Sequence, residues 1–161
     1  MQLTGEEIIK QGLVTNYCKE GIQQQGIDVR IDKVYQYSVG PGRVTKKKTF
    51  IPEYIQIHSV AGMYNLQPGY YEITLKEGVN IPDNAVMNFK TRSSLVRCGT
   101  IVYSGQFDAG FKTDSAGCFL HVIQPISIEE GARIAQAIFT LSNPVKNLYN
   151  GQFQNDKQRQ S

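Results

Sequence analysis

Short stretches in which apolar and polar residues alternate, separated by turn-forming residues, make up most of the chain after about residue 26. The alternation is present in residues 27–31, 55–57 and 71–75, and Pro or Gly marks turns at residues 67–69 and 81–84. A period of two places successive side chains on opposite faces of a β-strand, so these stretches predict strands with one face in a core. Many short strands without a regular alternation of strands and helices predict an all-β fold, either a closed β-barrel or a jelly roll.

One segment near the start of the chain, residues 4–12 (TGEEIIKQG), is the only convincing helix. Thr4 can act as the N-cap, Glu7 three residues later completes a capping box, and Gly12 can end the helix. We therefore expect one short N-terminal helix on an otherwise all-β chain.

The composition disfavours a nucleic-acid-binding protein. The 161 residues suffice for one domain with a hydrophobic core, and the formal net charge is only +3. The lysine run at residues 46–48 follows Gly and Pro residues and favours a solvated hairpin loop over a nucleic-acid-binding patch. A protein that binds a small anionic ligand needs only a few well-placed cations, so this charge is compatible with such a ligand.

The sequence also disfavours a structural metal site and a membrane location. The three cysteines are not paired in a CxxC spacing, and the two histidines lack helical ligand spacing, so they do not support a structural zinc site. No apolar run is long enough to span a membrane, and the first residues do not resemble a signal peptide. We expect a protein that binds no membrane and works in the cytoplasm with reduced thiols.

Two arginines flank two adjacent serines in residues 92–97 (RSSLVR). The guanidinium groups of Arg92 and Arg97 can bind phosphate oxygens through charge-assisted hydrogen bonds, and the hydroxyls of Ser93 and Ser94 can donate to the same group. Backbone N–H groups in a turn, or at a short helix start, would add donors. The alternative is a surface turn with salt bridges, which composition by itself favours.

A single carboxylate, Asp108, lies between aromatic residues in residues 105–111 (GQFDAGF). The small residues beside it permit a tight hairpin whose backbone approaches a ligand closely. Asp108 can orient a water for attack on phosphorus, or it can accept local backbone hydrogen bonds as a turn residue, which is the commoner case. Further along, Arg133 and Gln136 interrupt an apolar strand, a pattern that proves nothing by itself.

The last part of the chain, residues 143–161, is polar and carries isolated aromatic residues, among them Tyr149 and Phe153. Such a composition cannot build a core, so one interpretation is a frayed end. The other is a mobile flap that closes over a ligand, with Phe153 as its stacking residue. We therefore divide the chain into a barrel domain, residues 1–142, and this segment, which we call the tail.

Taken together and in this order, four segments resemble the motifs of the dUTPase and dCTP deaminase superfamily. They are residues 26–30 (GIDVR), 91–99 (TRSSLVRCG), 105–111 (GQFDAGF) and 131–139 (GARIAQAIF). The connecting residues 66–86 also resemble the family, so the similarity covers nearly the whole chain. It implies the distorted β-barrel or jelly roll of the trimeric dUTPase-like fold.

Two branches of this superfamily differ at one strand. The N-terminal helix and residues 149–154 resemble the dCTP deaminase branch, which includes archaeal deaminase-like dUTPases, whereas residues 105–111 look like the dUTPase hairpin. Deaminases carry a general-base Glu in the next strand. At that position this chain has Val122 by direct count, or His121 if the alignment gap before the strand is moved by one residue. Removal of a 4-amino group needs a proton shuttle that Val cannot provide, so the resemblance favours dUTP hydrolysis.

The resemblance implies a dUTP diphosphatase that converts dUTP to dUMP and pyrophosphate with Mg²⁺, in sites between the subunits of a homotrimer. Asp108 would hold and polarise the attacking water, and Asp28 would hold Mg²⁺ through waters. The other implied site residues contact the substrate. They are Arg92, Ser93, Ser94, Arg97 and Gln136 at the phosphates, Ser104 and Gly105 at the uracil, Phe111 at the deoxyribose, and Tyr149 and Phe153 in the closing tail.

Two other functions stay open at this point. One is a dCTP deaminase, or a bifunctional deaminase and dUTPase. The other is a non-catalytic trimeric β module that binds a nucleotide or a protein. The joint presence of Asp28, Arg92, Ser93, Asp108 and Gln136 disfavours a pure binder, because such a protein need not keep a water-holding carboxylate.

Overall fold

The predicted N-terminal helix forms with the predicted cap. The computed structural model describes residues 1–38 and 40–155, and in it helix α1 spans Gly5–Lys10 with Thr4 as its N-cap. The Thr4 hydroxyl accepts from the Glu7 backbone N–H over 3.3 Å, and the Glu7 carboxylate accepts from the Thr4 N–H over 2.8 Å. Gly12, just beyond the end, has a φ of 66°, a left-handed conformation that favours glycine.

The expectation of a single helix is wrong. A second helix, α2, spans Ser93–Arg97, and a short 3-10 helix spans Lys19–Gly21. α2 begins directly after Arg92, which is its N-cap in an extended conformation. A helix of one turn is too short to show apolar periodicity, so the sequence pattern does not reveal it.

The remaining regular structure in the described residues is β-strand. In chain order the strands are β1 Val14–Thr15, β2 Ile22–Gln23, β3 Gly26–Tyr37, β4 Arg43–Val44, β5 Thr49–Phe50, β6 Tyr54–Ile57, β7 Met63–Leu66, β8 Gly69–Leu75, β9 Gly78–Asn80, β10 Ala85–Thr91, β11 Thr100–Tyr103, β12 Lys112–Thr113, β13 Gly117–Val122, β14 Ile126–Glu129 and β15 Arg133–Leu141. Within the described ranges, no helix has the length and apolar character needed to cross a membrane.

The main sheet curls into a nearly closed barrel. Its strands follow the order β10-β15-β3-β8-β13-β11, every neighbouring pair is antiparallel, and β2 and β6 also pair with β3. The two outer strands, β10 and β11, meet where Thr91 Oγ1 accepts from the Val102 N–H over 2.9 Å and donates to the Val102 carbonyl over 3.1 Å. This architecture confirms the predicted all-β, dUTPase-like barrel with its N-terminal helix.

Branched aliphatic and aromatic side chains fill the barrel. Ile27, Val29 and Ile31 on β3 are fully buried, as their alternation predicts, and Leu120 and Phe139 pack with them. Burial of each such side chain contributes about 1.5–3 kcal/mol to folding. The core thus lies against β3 and β15, which carry the first and fourth motif segments, and fixes their relative positions.

The alternation misplaces other side chains. Ile55 is 62 % exposed although its pattern predicts burial, whereas Glu72 and Thr74, on the predicted polar face of β8, are 6 % and 7 % exposed. β8 is a central strand, and the cross-strand neighbours of Glu72 are the large residues Tyr35 and Phe119 on the same face. Both faces of β8 are therefore covered, which a period of two cannot foresee.

Candidate active site

The turn that carries Asp108 is anchored to the barrel on both sides. Backbone hydrogen bonds join Phe107 and Met87 in both directions, at 2.9 and 3.0 Å, and the Phe111 carbonyl accepts from the Ile81 N–H over 2.9 Å. Between these anchors the Phe111 N–H donates to the Asp108 carbonyl over 3.0 Å. The exposed Asp108 side chain therefore projects from a fixed backbone.

The predicted tight hairpin around this turn is wrong. Residues 104–116 form a long connection between β11 and β13. The first pair of residues that these two strands form beyond the connection is Tyr103 with Phe119. The connection bridges to β10 and then adds β12 to the edge of β9 before it returns to the main sheet. These non-local pairings, and not a local turn type, shape the segment.

A cavity of 220 Å³ opens beside Asp108. Its lining comes from the turn, from the start of β13 and from the tail: Gly105, Gln106, Phe107, Asp108, Phe111, Gly117, Tyr149 and Phe153. Gln106 Nε2 donates to Asp108 Oδ1 over 2.9 Å and so orients the carboxylate. Asp108 is the only carboxylate among the described residues that line this cavity. Ligand pockets usually measure about 300–1,000 Å³, so this cavity encloses only part of a nucleotide-sized ligand.

The tail closes one side of the cavity. The Tyr149 N–H donates to the Ala109 carbonyl over 2.8 Å, and the Tyr149 ring meets Phe111 edge-on, with centroids 5.5 Å apart. The Phe153 N–H donates to the Tyr149 hydroxyl over 3.2 Å. The tail is thus in contact with the barrel as far as it is described, and its residues 156–161 lie outside the described residues.

A second cavity of 320 Å³ adjoins the first. The two share Gly105 and Gly117, and the second is also lined by Ser104 and by the buried Glu72. Ser104 Oγ accepts from the Phe89 N–H over 3.4 Å, which ties this part of the turn to β10. Gly105 therefore lies at the boundary between the two cavities, and Ser104 lies beside it in the second.

A cluster of two arginines and one buried carboxylate lies beyond the other end of β10. Asp28 Oδ2 is 3.1 Å from Arg92 Nε and 3.3 Å from Arg133 Nη1, and Arg92 Nη1 donates to the Arg133 carbonyl over 3.1 Å. Burial raises the pKa of Asp28 above its usual range, and the charges of Arg92 and Arg133 offset part of that rise. Two cations share one anion, so the cluster suits a phosphate group.

The other predicted phosphate contacts lie around this cluster. Gln136 on β15 pairs directly with Asp28 on β3, so the two side chains leave the sheet on the same side. Ser93, Ser94 and Arg97 are exposed on α2. The structure therefore brings these predicted residues together, and their role as phosphate contacts stays a prediction.

The Asp108 cavity and the arginine cluster lie apart in one chain. β10 contacts the Asp108 turn at Met87 and ends just before Arg92. A strand rises about 3.3 Å per residue, so these two points are separated by about 16 Å. The backbone that carries Asp108 and the backbone at Arg92 therefore lie well apart within one chain.

The model of a known protein family, described as dCTP deaminase-like, matches residues 2–142 of the chain. The chain belongs to this family.

Relatives of this dCTP deaminase-like chain include archaeal enzymes. It is 34 % identical over 140 residues to a deoxyuridine 5′-triphosphate nucleotidohydrolase of Methanocaldococcus jannaschii. This alignment covers 84 % of this chain and 88 % of that protein. It is 28 % identical over 159 residues to a probable deoxyuridine 5′-triphosphate nucleotidohydrolase of Aeropyrum pernix, which covers 97 % of this chain and 99 % of that protein.

Among solved structures, the 2′-deoxycytidine 5′-triphosphate deaminase of Agrobacterium tumefaciens shares the fold. It aligns with a TM-score of 0.64 at 16 % identity, over 88 % of this chain and 48 % of that chain. The dCTP deaminase-like chain described here thus spans about half the length of that deaminase.

The two residues considered for a deaminase general base lie outside the Asp108 cavity. Val122 is 1 % exposed and belongs to the hydrophobic core. His121 stacks on Tyr70, with ring centroids 4.5 Å apart, and neither residue lines the cavity. In this dCTP deaminase-like chain neither side chain therefore lines the cavity beside Asp108.

The described residues contain no preformed cluster of protein ligands for a metal ion. They contain no group of three or more His, Cys, Asp or Glu side chains that could hold one. Asp28, the predicted magnesium ligand, is 3 % exposed, and its Oδ2 already contacts two guanidinium groups. A carboxylate neutralised in this way is a poor partner for hydrated Mg²⁺, which needs room for its waters.

Three positions in the site were missed or undervalued by the sequence patterns. Arg133 contacts Asp28, Glu72 lines the second cavity, and Gln154 contacts the Asp108 turn. The Arg133 position was visible as a charged interruption of an apolar strand. Glu72 gave no signal, because its neighbours are distant in sequence, and Gln154 was visible only as part of residues 149–154, without a role of its own.

Proposed function

We propose that this chain hydrolyses dUTP to dUMP and pyrophosphate. The observation that carries the proposal is the exposed Asp108 carboxylate, held on an anchored turn inside a cavity with aromatic walls. The archaeal relatives named for deoxyuridine 5′-triphosphate hydrolysis support the same substrate. The positions of Val122 and His121, away from this cavity, support hydrolysis over deamination.

Asp108 positions the attacking water in this proposal. Gln106 holds Oδ1, so Oδ2 accepts a hydrogen bond from the water and takes its proton as the water attacks. The water oxygen forms a bond to the α-phosphorus, and the bond from that phosphorus to the oxygen bridging to the β-phosphorus breaks. Pyrophosphate leaves with the electron pair of that bond, and dUMP retains the oxygen of the water.

Phosphate binding falls to the arginine cluster. Arg92 and Arg133 are about one-third exposed, so their guanidinium groups can reach an anion while they neutralise Asp28. Ser93, Ser94 and Arg97 on α2, with Gln136 beside Asp28, supply further donors. Fixed donors of this kind stabilise charge that develops on the triphosphate, so catalysis is mainly positioning and charge stabilisation.

We infer a homotrimer whose sites lie between subunits. The separation of about 16 Å along β10 supports this inference, because it favours a site in which Asp108 and Arg92 at one triphosphate come from different chains. A second copy that places its arginine cluster over the Asp108 cavity completes the site. A cavity that encloses only part of a nucleotide supports the same arrangement.

Selectivity for a deoxyuridine nucleotide comes from the walls of the site. Phe111 is 7 % exposed and is wedged between the rings of Phe107 and Tyr149, so its face is rigid. A rigid ring against the sugar leaves no room for a 2′-hydroxyl. The backbone at Ser104 and Gly105 lines the second cavity, and Gly105 lines both, so its N–H and C=O groups read the uracil edge.

Mg²⁺ binds together with dUTP, as part of the substrate. Mg²⁺ prefers oxygen ligands, keeps several waters and is commonly bound through substrate phosphates. The dUTP triphosphate supplies such ligands, whereas Asp28 is occupied by two arginines. We therefore place no step of the reaction on a metal held by Asp28.

We also propose that the protein works in the cytoplasm. The described residues contain three free cysteines, Cys18, Cys98 and Cys118, of which Cys98 is exposed. Free exposed thiols are typical of reducing compartments.

Hydrolysis of dUTP in water labelled with heavy oxygen tests this proposal. We expect release of pyrophosphate and incorporation of the label into dUMP, because water attacks the α-phosphorus. Label found in pyrophosphate would contradict the assigned point of attack. Failure to consume dUTP in the presence of Mg²⁺ would contradict the function itself.

A further inference from the structure

Gln154 connects the tail to the turn that carries Asp108. Its Nε2 donates to the Gly110 carbonyl over 2.8 Å and to the Tyr149 carbonyl over 3.3 Å. Its Oε1 accepts from the Lys112 backbone N–H over 2.9 Å. Both ends of one side-chain amide are thus used, and the two partners on the barrel flank Phe111 in sequence.

The tail lies unusually close to the turn at Gly110. A Cβ atom at this position would lie 2.6 Å from Leu148 Cβ and 2.9 Å from the Tyr149 nitrogen. Gly110 also has a φ of 88°, a conformation that other residues rarely adopt. The tail backbone therefore packs directly against Gly110, and Gln154 donates to the carbonyl of this same residue.

A second glutamine of the tail contacts a different element. Gln152 Nε2 donates to the Thr49 carbonyl over 3.0 Å, and its Oε1 accepts from the Thr49 N–H over 3.4 Å. Thr49 begins β5, which among the described strands pairs only with β4, in a two-stranded sheet. Gln152 therefore ties the tail to a peripheral hairpin, whereas Gln154 ties it to the turn that holds the candidate catalytic carboxylate.

We propose that Gln154 is a positioning residue that fastens the tail over the Asp108 cavity of its own chain. Gln154 does not line the cavity, but Tyr149 and Phe153, which do, are held in place by the contacts around it. Its effect on dUTP rests on the proposed function, whereas the contact with Lys112 and Gly110 does not. The tail of each subunit thus completes the wall of that subunit's own cavity.

Loss of the contact lowers the population of the closed tail. When only a fraction of molecules is in the binding-competent state, the apparent dissociation constant rises by the inverse of that fraction. We expect the loss of two hydrogen bonds to the barrel to shift this equilibrium about tenfold. At saturating dUTP the substrate restores closure, so KM rises while kcat changes little.

Hydrogen exchange at the Lys112 amide tests the contact without reference to activity. In the full-length protein we expect Gln154→Ala to speed exchange of this amide about tenfold, and Asn150→Ala, an exposed position in the same segment, to leave it unchanged. Gln154→Glu keeps an acceptor for Lys112 but places a second acceptor against the Gly110 and Tyr149 carbonyls. It should release the tail to proteolysis as Gln154→Ala does. Unchanged exchange in Gln154→Ala, or a tail as protected in Gln154→Glu as in wild type, would overturn the proposal.

Steady-state kinetics with dUTP then separate positioning from a structural role. Gln154→Ala should raise KM about tenfold and leave kcat within about twofold, since closure is one equilibrium of modest size. A fall in kcat at unchanged KM would mean that the substitution disturbs the Asp108 turn, and it would overturn the assignment. If wild-type protein does not consume dUTP, the proposed function fails, while the Lys112 exchange still decides whether Gln154 holds the tail.

Discussion

Tyr149 and Phe111 meet edge-on, with ring centroids 5.5 Å apart and planes inclined by 70°. Phe111 belongs to the turn that carries Asp108, and Tyr149 belongs to a tail whose composition cannot form a core of its own. The contact therefore makes the tail a wall of the candidate active site. It also explains how isolated aromatic residues in a polar segment acquire a fixed position.

Removal of the tail should impair turnover far more than folding. A chain that ends at Leu148 loses Tyr149 and Phe153, which are only partly buried, so we expect a cost below about 3 kcal/mol in unfolding free energy. The kcat/KM for dUTP should fall about fivefold or more, because one aromatic stacked on a base contributes about 1–3 kcal/mol. Steady-state kinetics and thermal unfolding of the truncated protein measure the two effects.

Phe153→Ala serves as the finer version of the same test. It should reproduce part of the kinetic defect, and a non-hydrolysable dUTP analogue should protect the wild-type tail from proteolysis. Hydrolysis of dUTP by the truncated protein at the full-length rate would show that the tail takes no part in catalysis.

Asp108→Asn should abolish turnover and spare binding. Asn keeps the shape and the contact with Gln106 but lacks the charge that polarises a water, and loss of a general base commonly costs about 10²–10⁴ in rate. The affinity for the non-hydrolysable analogue should stay within roughly tenfold, or about 1.4 kcal/mol. Calorimetric binding and pyrophosphate release measure the two quantities. Near-normal turnover would reduce Asp108 to a turn residue.

The barrel could be predicted from sequence because its strands show local alternation, and α1 because Thr4, Glu7 and Gly12 form a local capping pattern. The position of Asp108 on a turn was equally visible. What the sequence could not show depends on distant partners. The burial of Glu72 depends on neighbours across the sheet, and the separation of the Asp108 cavity from the arginine cluster follows from the pairing of β10.

Mixed trimers test whether the sites lie between subunits. Asp108→Asn and Arg92→Ala should each be inactive alone, since each destroys one part of every site. After random mixing of the two variants, about one quarter of the sites should combine an intact Asp108 from one subunit with an intact Arg92 from another. We expect a corresponding recovery of activity. No recovery, in trimers shown by sedimentation to be mixed, would mean that one chain supplies both residues.

The stability contributed by Asp28 should fall as pH rises. Burial raises the pKa of Asp28 in the folded chain, so the folded state binds this proton more tightly than the unfolded state, whose pKa is about 3.9. The contribution is complete below that value and is lost as pH rises toward the folded-state pKa. Urea unfolding of wild type and Asp28→Asn from about pH 4 to 7 should show their difference shrinking, by at most about 1.4 kcal/mol per pH unit. A difference that grows with pH would show that Arg92 and Arg133 outweigh burial.

The most direct test of the proposed function offers dUTP and dCTP separately to the purified protein with Mg²⁺, and follows pyrophosphate by phosphorus NMR and ammonia by a coupled assay. With Asp108 in the cavity and Val122 in the core, we predict rapid release of pyrophosphate from dUTP and little ammonia from dCTP. Robust conversion of dCTP to a uracil nucleotide with release of ammonia, or no pyrophosphate from dUTP, would contradict the account.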